Sequence, residues 1–254
     1  MFVSGEPGIG KTRLVTEVVR RAHAQGAIVL WGRCDEELGV PYGPWAEALR
    51  HLVAVADPVA LRRQLGALGG ELARIVPDLP SRVPGIPPPL STEVEAERHR
   101  LFEATSDLLA ALSAEGPVVV VLDDVHWADK ATLLLLRHVL RAPPMAVFVL
   151  ATYRDTDLDR SHPLAGVLAD LRREANVERL DLHGLDEGEV EAFLGAAAGH
   201  DLDEAALDLA RALHAETEGN PFFVGEVLRH FAESGALVQR DGRWTSNLLS
   251  LIHI

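Results

Sequence analysis

A glycine-rich stretch near the amino terminus constrains the fold of this chain more than any other part of its sequence. Residues 5–12 read Gly-Glu-Pro-Gly-Ile-Gly-Lys-Thr and fill every fixed position of the pattern G-x-x-x-x-G-K-[ST]. Glycines at these positions let successive backbone N–H groups turn toward a single anion, between a buried strand and the helix that follows. The sequence therefore predicts a strand–loop–helix unit that holds the phosphates of a nucleoside triphosphate.

The loop residues and the first helical turn have distinct predicted roles. Lys11 is predicted to reach the β- and γ-phosphate oxygens as a catalytic point charge, and Thr12 to be a ligand of Mg²⁺. We therefore expect ATP and Mg²⁺ as cofactors; the alternative is a glycine-rich turn that merely precedes a helix. The predicted nucleotide-binding residues of this segment are Gly5, Glu6, Pro7, Gly8, Ile9, Gly10, Lys11, Thr12 and Arg13.

Strand and helix candidates alternate through residues 1–182, which favours an α/β core with a parallel sheet flanked by helices. The strand candidates are short and apolar, and each is expected to be buried: residues 2–4, 27–32, 118–123, 146–152 and 177–182. The helix candidates are residues 11–25, 45–56, 59–72, 93–112, 131–140 and 164–174. Proline-rich residues 77–90 are expected to form an irregular connector, because proline disfavours helix around it.

The pattern changes after residue 182. Helical periodicity recurs at 186–194, 204–217 and 222–234, which predicts a helical lid subdomain over 183–235. Residues 237–240 and 243–245 flank Asp241-Gly242 and predict a hairpin, the start of a truncated winged-helix-like unit over 236–247. We expect both ends of the chain to be cut, with the first strand shortened and 248–254 a non-native tail.

A second signature lies where the apolar run Val118–Leu122 ends in two aspartates. Open α/β sheets bind ligands beyond the carboxyl ends of their strands. Asp123 is predicted to hold Mg²⁺ through water, and Asp124 to orient or deprotonate the attacking water. The alternative for each is a capping or solvated acid.

A third candidate is Arg154, which follows the apolar stretch over residues 146–152. An arginine just past a buried strand could direct its guanidinium at the γ-phosphate and so distinguish ATP from ADP. The competing interpretation is a surface arginine paired with Asp155 or Asp157.

Composition excludes several function classes. The formal net charge is −14 over 254 residues, so no DNA contact is expected within this segment. Cys34 is the only cysteine, which excludes an internal disulfide and indicates a core residue in a reducing cytosol. Apolar runs are too short to span a bilayer, so we expect a cytoplasmic protein without membrane contact.

Four segments in order resemble the ATPase domain of STAND-class signalling NTPases, in the Orc1-like AAA branch found in large LuxR-type bacterial transcriptional regulators. They are GEPGIGKTRL, VVVLDDVHWAD, LATYRD and TEGNPFFVGEVLRHF, and the resemblance runs from Val3 to about Trp244. It implies Walker A roles for Lys11 and Thr12, Walker B roles for Asp123 and Asp124, and a sensor role for Arg154. It also implies that Pro221, in Gly219-Asn220-Pro221, packs on the adenine ring.

The resemblance implies a nucleotide-driven switch that hydrolyses ATP slowly, with ATP and ADP as its ligands. Nucleotide-dependent self-association is a further expectation, with DNA binding assigned to a missing carboxyl-terminal part. One alternative is the regulatory NTPase module of a signalling enzyme such as a nucleotide cyclase or protein kinase fusion. Another is a small-molecule kinase, which the acidic character around 186–191 and 201–204 disfavours.

Overall fold

The computed structural model of the protein describes residues 1–36, 39–159, 161–240 and 243–246. Contacts divide the chain into two compact units. The first consists of Met1–Ser4 and Thr12–Asp181, and the second of Gly5–Lys11 together with the chain from Leu182 onward. The subdomain boundaries at 182, 235 and 247 remain predictions.

A five-stranded sheet with the order β2-β3-β4-β1-β5 forms the centre of the first unit. Every neighbouring pair in it is parallel. This arrangement, with helices covering the sheet, confirms the predicted α/β P-loop fold. The strands are β1 Phe2–Ser4, β2 Ile28–Arg33, β3 Val118–Asp123, β4 Val147–Thr152 and β5 Arg179–Asp181.

The interior strand β3 shows where the core lies. All six residues of β3 are buried, as expected for a β-branched apolar strand covered on both faces. The α-helices between β1 and β5 belong to this unit, except for Lys11, the first residue of α1. They are α1 Lys11–Ala24, α2 Gly43–Val55, α3 Pro58–Gln64, α4 Leu79–Arg82, α5 Val94–Ser113, α6 Lys130–Arg141 and α7 Pro163–Leu171. Short 3₁₀ helices cover Gly69–Arg74 and Val125–Trp127. Within the described residues, no helix is both long and apolar enough to cross a membrane.

Three predictions from the sequence were wrong in detail. The single helix predicted over 59–72 is split, because Gly66 has φ 60° and separates α3 from the 3₁₀ helix that begins at Gly69. The connector over 77–90 contains the short helix α4. The strand predicted over 177–182 is short and its residues are exposed, because β5 lies at the sheet edge and pairs only with β1.

The described part of the second unit contains three helices that pack around a small apolar core. They are α8 Glu187–Ala198, α9 Glu204–Thr217 and α10 Pro221–Glu233. Their buried residues are Val190, Leu194, Ala210, Leu213 and Val224. β6 Leu237–Arg240 and β7 Arg243–Ser246 pair antiparallel, as the predicted hairpin requires. The predicted Asp241-Gly242 turn and the 248–254 tail lie outside the described residues.

A buried carboxylate stabilises the helical section inserted between β2 and β3. The side chain of Glu71 is 4% exposed and accepts hydrogen bonds from Arg74 (2.9 Å) and Arg100 (3.1 Å). The Leu90 N–H also donates to it, at 3.0 Å. Burial alone would raise the pKa of Glu71, but these three donors outweigh burial and lower that pKa.

We expect Glu71→Gln to lower the free energy of unfolding by about 1–3 kcal/mol at pH 7, because charge-assisted hydrogen bonds are lost inside the protein. The lowered pKa means that the wild-type carboxylate contributes stability above the pKa it has when unfolded, and loses that contribution as the pH falls below it. Urea unfolding between pH 7 and pH 3 measures this. The exposed Glu115→Gln is the control, and a constant difference between Glu71→Gln and wild type over this range would contradict the role of the charge.

Candidate functional site

The phosphate loop has the backbone conformation that its glycines predict. Gly5, Gly8 and Gly10 all have positive φ, and α1 begins directly after them at Lys11. The buried ammonium of Lys11 donates to the Gly5 carbonyl at 2.7 Å and to the Glu6 carbonyl at 2.9 Å. The lysine is thus held against the loop itself, where its charge is close to any anion that the loop amides bind.

The carboxyl end of β3 carries the second predicted group. The Thr12 hydroxyl donates to the Asp123 carboxylate, 3.2 Å from Oδ2 and 3.3 Å from Oδ1. The Thr152 hydroxyl donates to Asp123 Oδ1 at 2.5 Å, and the Asp124 N–H donates to the same Thr152 oxygen at 2.9 Å. Thr12 and Asp123, predicted to share a metal, therefore lie together.

The Thr12–Asp123 pair suits Mg²⁺. This ion takes oxygen ligands at about 2.0–2.1 Å in octahedral geometry, which places neighbouring ligand oxygens about 3 Å apart. The distances of 3.2 and 3.3 Å between these oxygens come close to that spacing. Mg²⁺ commonly uses one or two protein oxygens and completes its shell with water and substrate phosphates. Thr12 and Asp123 would hold the ion, and the metal role of both stays a prediction.

Thr152 was missed by the sequence analysis. It is the last residue of β4, next to β3 in the sheet, and it is fully buried. The sequence does show a hydroxyl residue at the end of an apolar strand candidate, and the preceding strand candidate ends in an acid. This pattern could have indicated Thr152. Arg154, two residues later, has a longer and charged side chain and gave the stronger sequence signal.

Asp124 has an unusual backbone conformation. Its φ of 59° and ψ of 43° place it in the left-handed region, which turns the chain sharply after β3. Its side chain is 12% exposed, and Arg33 Nη2 lies 3.3 Å from Oδ2. A carboxylate held here accepts hydrogen bonds, as a water-orienting residue must, but its catalytic role stays a prediction.

Cys34 lies beside these carboxylates and is buried, as expected of a core residue. Burial raises the pKa of its thiol to about 12, and the negative charges of Asp124 and Asp123 act in the same direction. The thiol is therefore protonated at neutral pH and is a poor nucleophile.

Arg154 pairs with a neighbouring acid. Its Nη1 lies 3.7 Å from Asp157 Oδ2, as in the competing interpretation, and the same Asp157 oxygen lies 3.6 Å from His126 Nε2. The Arg154 side chain is 34% exposed, so this ion pair is weak and exchangeable. The sensor role remains a prediction.

In the second unit, Pro221 is the first residue of α10, where its missing N–H costs no hydrogen bond. The preceding Asn220 is the N-cap residue of that helix and is buried. The predicted contact of Pro221 with adenine stays a prediction.

Comparison with known proteins identifies the family. A family model described as an AAA ATPase domain matches residues 1–151. An uncharacterised protein of Rhizobium meliloti (strain 1021) is 24% identical over 252 residues, which are 92% of this chain and 23% of that protein. The chain therefore spans less than a quarter of the length of this relative.

Two solved structures are similar at low identity. The FIGL-1 AAA domain in complex with ADP is 16% identical, and the TM-score is 0.37. The match covers 84% of this chain and 53% of the FIGL-1 chain. Drosophila ORC bound to GC-rich DNA and Cdc6 is 12% identical, covers 99% of this chain and 84% of its own, and has a TM-score of 0.36. The family model alone spans more than half of the chain. The chain thus belongs to the AAA ATPase domain family, whose members bind nucleotide.

Proposed function

We propose that this domain is an ATP-driven conformational switch of a STAND-type signalling protein, of the kind found in LuxR-type transcriptional regulators. Membership of the AAA ATPase domain family supports nucleotide binding. The four segments quoted above, which occur in the order typical of STAND proteins, support the narrower assignment.

The observation that carries the proposal is the contact between Thr12 and Asp123. These residues are 111 positions apart in the chain, yet the Thr12 hydroxyl lies 3.2 Å from the Asp123 carboxylate, and we assign them the Walker A and Walker B roles. Mg²⁺ held there would neutralise charge on the β- and γ-phosphates. Lys11 would exchange its loop carbonyl partners for phosphate oxygens, and Asp124 would orient the attacking water.

A switch requires contacts that differ between ATP and ADP, because a ligand shifts an equilibrium only through its differential affinity for the two states. Arg154 is our candidate for that difference. Its pair with Asp157 is partly exposed, so the guanidinium can exchange this partner for a γ-phosphate at little cost. Pro221, proposed to pack on the adenine ring, is our second candidate for a contact that differs between the two nucleotide states.

We expect Asp124→Asn to lower the rate of ATP hydrolysis by about 100-fold, as for loss of general-base catalysis, while ATP affinity stays within about twofold. Asparagine tolerates the left-handed backbone at this position, so the fold should be kept. Phosphate release in water without any added acceptor measures the rate, and a requirement for an acceptor would instead favour a kinase. The exposed Asp107→Asn is the matched control. Unchanged hydrolysis in Asp124→Asn would remove Asp124 from the reaction.

A further inference from the structure

Asn220 is only 3% exposed, and both the oxygen and the nitrogen of its side-chain amide form hydrogen bonds. Its Oδ1 accepts from the Phe222 N–H at 3.1 Å, which caps α10. Its Nδ2 donates to the Pro7 carbonyl at 3.0 Å, in the middle of the phosphate loop. One buried side chain thus links the loop to the first turn of α10.

The backbone around Asn220 holds this side chain in place. The Leu185 N–H donates to the Gly219 carbonyl at 2.8 Å, and the Asn220 N–H donates to the Thr217 carbonyl at 2.9 Å. On the loop side, a Cβ added to Gly8 would lie 2.7 Å from Phe222 Cβ and 3.0 Å from Asn220 Oδ1. The loop and the start of α10 therefore touch directly at Gly8.

The hydrogen bond from Asn220 to the Pro7 carbonyl also fixes the direction of the Gly8 N–H, because both groups belong to one peptide unit. The peptide unit between Pro7 and Gly8 is planar and trans, so its C=O and N–H groups point in opposite directions. Holding the Pro7 carbonyl toward Asn220 therefore turns the Gly8 N–H away from Asn220. The Gly8 N–H is one of the amides that the loop pattern uses to bind phosphate.

We infer that Asn220 is a positioning residue that couples phosphate binding in the loop to α10. A phosphate on the Gly8 N–H polarises the peptide and makes the Pro7 carbonyl a stronger acceptor for Asn220. The bond from Asn220 to Pro7 then tightens when nucleotide binds and weakens when it leaves, and the cap of α10 responds through the same amide. This inference rests on the proposed function, because it names a contact through which nucleotide bound in the loop would act on α10, whereas Arg154 is proposed to distinguish ATP from ADP.

The competing explanation is that Asn220 only caps α10. Substitutions of Asn220 distinguish capping from positioning of the loop. Asparagine, aspartate and serine are nearly equivalent N-cap residues. Asn220→Ser keeps a capping oxygen but lacks a donor that reaches Pro7, and Asn220→Asp places an acceptor opposite the Pro7 carbonyl. If capping is the only role, both variants match wild type. Asn176→Ser is the matched control, since the Asn176 amide donates to the Leu140 carbonyl in the first unit.

The experiment has two parts, after thermal unfolding has confirmed that each variant is folded. The first measures the ¹⁵N order parameter of the Gly8 amide without nucleotide. We expect a rigid value of about 0.85 in wild type and Asn176→Ser, and a value below about 0.6 in both Asn220 variants. The second measures affinity for ATP with Mg²⁺, which we expect to fall about tenfold in Asn220→Ser, as for one lost hydrogen bond.

Wild-type order at Gly8 in both Asn220 variants would overturn the inference, and so would unchanged ATP affinity in Asn220→Ser. A wild-type protein that binds no ATP would overturn the proposed function instead. The order parameter requires no nucleotide, so in that case it still decides whether Asn220 positions the loop.

Discussion

Lys11→Ala is expected to lower ATP affinity by at least about 100-fold, which is the largest binding effect that we predict. A lysine that contacts phosphate makes charge-assisted hydrogen bonds, each contributing about 1.5–3 kcal/mol, and two of them account for this loss. The Lys11 ammonium is already buried and held at 2.7 and 2.9 Å by two carbonyls of the loop. Equilibrium binding of a fluorescent ATP analogue measures the effect.

The matched control is Lys130→Ala, because Lys130 is the other lysine of the chain and is exposed at the start of α6. We expect wild-type ATP affinity in that variant. Circular dichroism should show that Lys11→Ala remains folded, so that lost binding is not lost structure. ATP affinity in Lys11→Ala within threefold of wild type would remove Lys11 from the site.

Gly219→Ala is expected to lower the free energy of unfolding of the second unit by roughly 3 kcal/mol or more, which is the largest stability effect that we predict. Gly219 has φ 70°, and an added Cβ would lie 1.9 Å from the Leu185 carbonyl oxygen. That oxygen belongs to the backbone, so no side-chain rotation relieves the overlap. Hydrogen exchange of α9 and α10 measures the loss in this unit.

Gly225→Ala is expected to have the opposite effect and to stabilise α10, the helix that follows Gly219. Gly225 lies within α10, and a Cβ added there would meet no described heavy atom within 4 Å apart from its chain neighbours and the backbone of its own helix. Alanine is the better helix former by about 1 kcal/mol, so we expect slower exchange in α10. Equal exchange in the two variants would contradict the tight packing proposed for the Gly219-Asn220 segment.

The parts of the fold that could be predicted carry strong local signals. β3 was predicted residue for residue, because a run of valines between polar boundaries has few other solutions. The start of α1 at Lys11 followed from the loop pattern in the same way. The break in the helix at Gly66 was not predicted, since a single glycine inside a helical pattern is compatible with both a continued and an interrupted helix.

The residues of the candidate site also differ in how far local sequence patterns predict them. Thr12 and Asp123 belong to motifs with fixed spacing, so their meeting could be predicted. The side chains of Thr152 and Asn220 form hydrogen bonds to residues that are far away in the chain. No local sequence pattern predicts such contacts. The partner of Arg154 was left open between two acids and phosphate, because a partly exposed guanidinium reaches several groups of similar energy.

Calorimetric titration of the purified chain with ATP, with Mg²⁺ and then with excess EDTA, tests the central claim most directly. We predict one ATP bound per chain, with affinity that falls at least about tenfold when the metal is removed, because Thr12 and Asp123 would then lack the ion that links them to phosphate. A folded protein that binds no ATP at millimolar concentration, with or without Mg²⁺, would contradict the assignment of this loop as a nucleotide site.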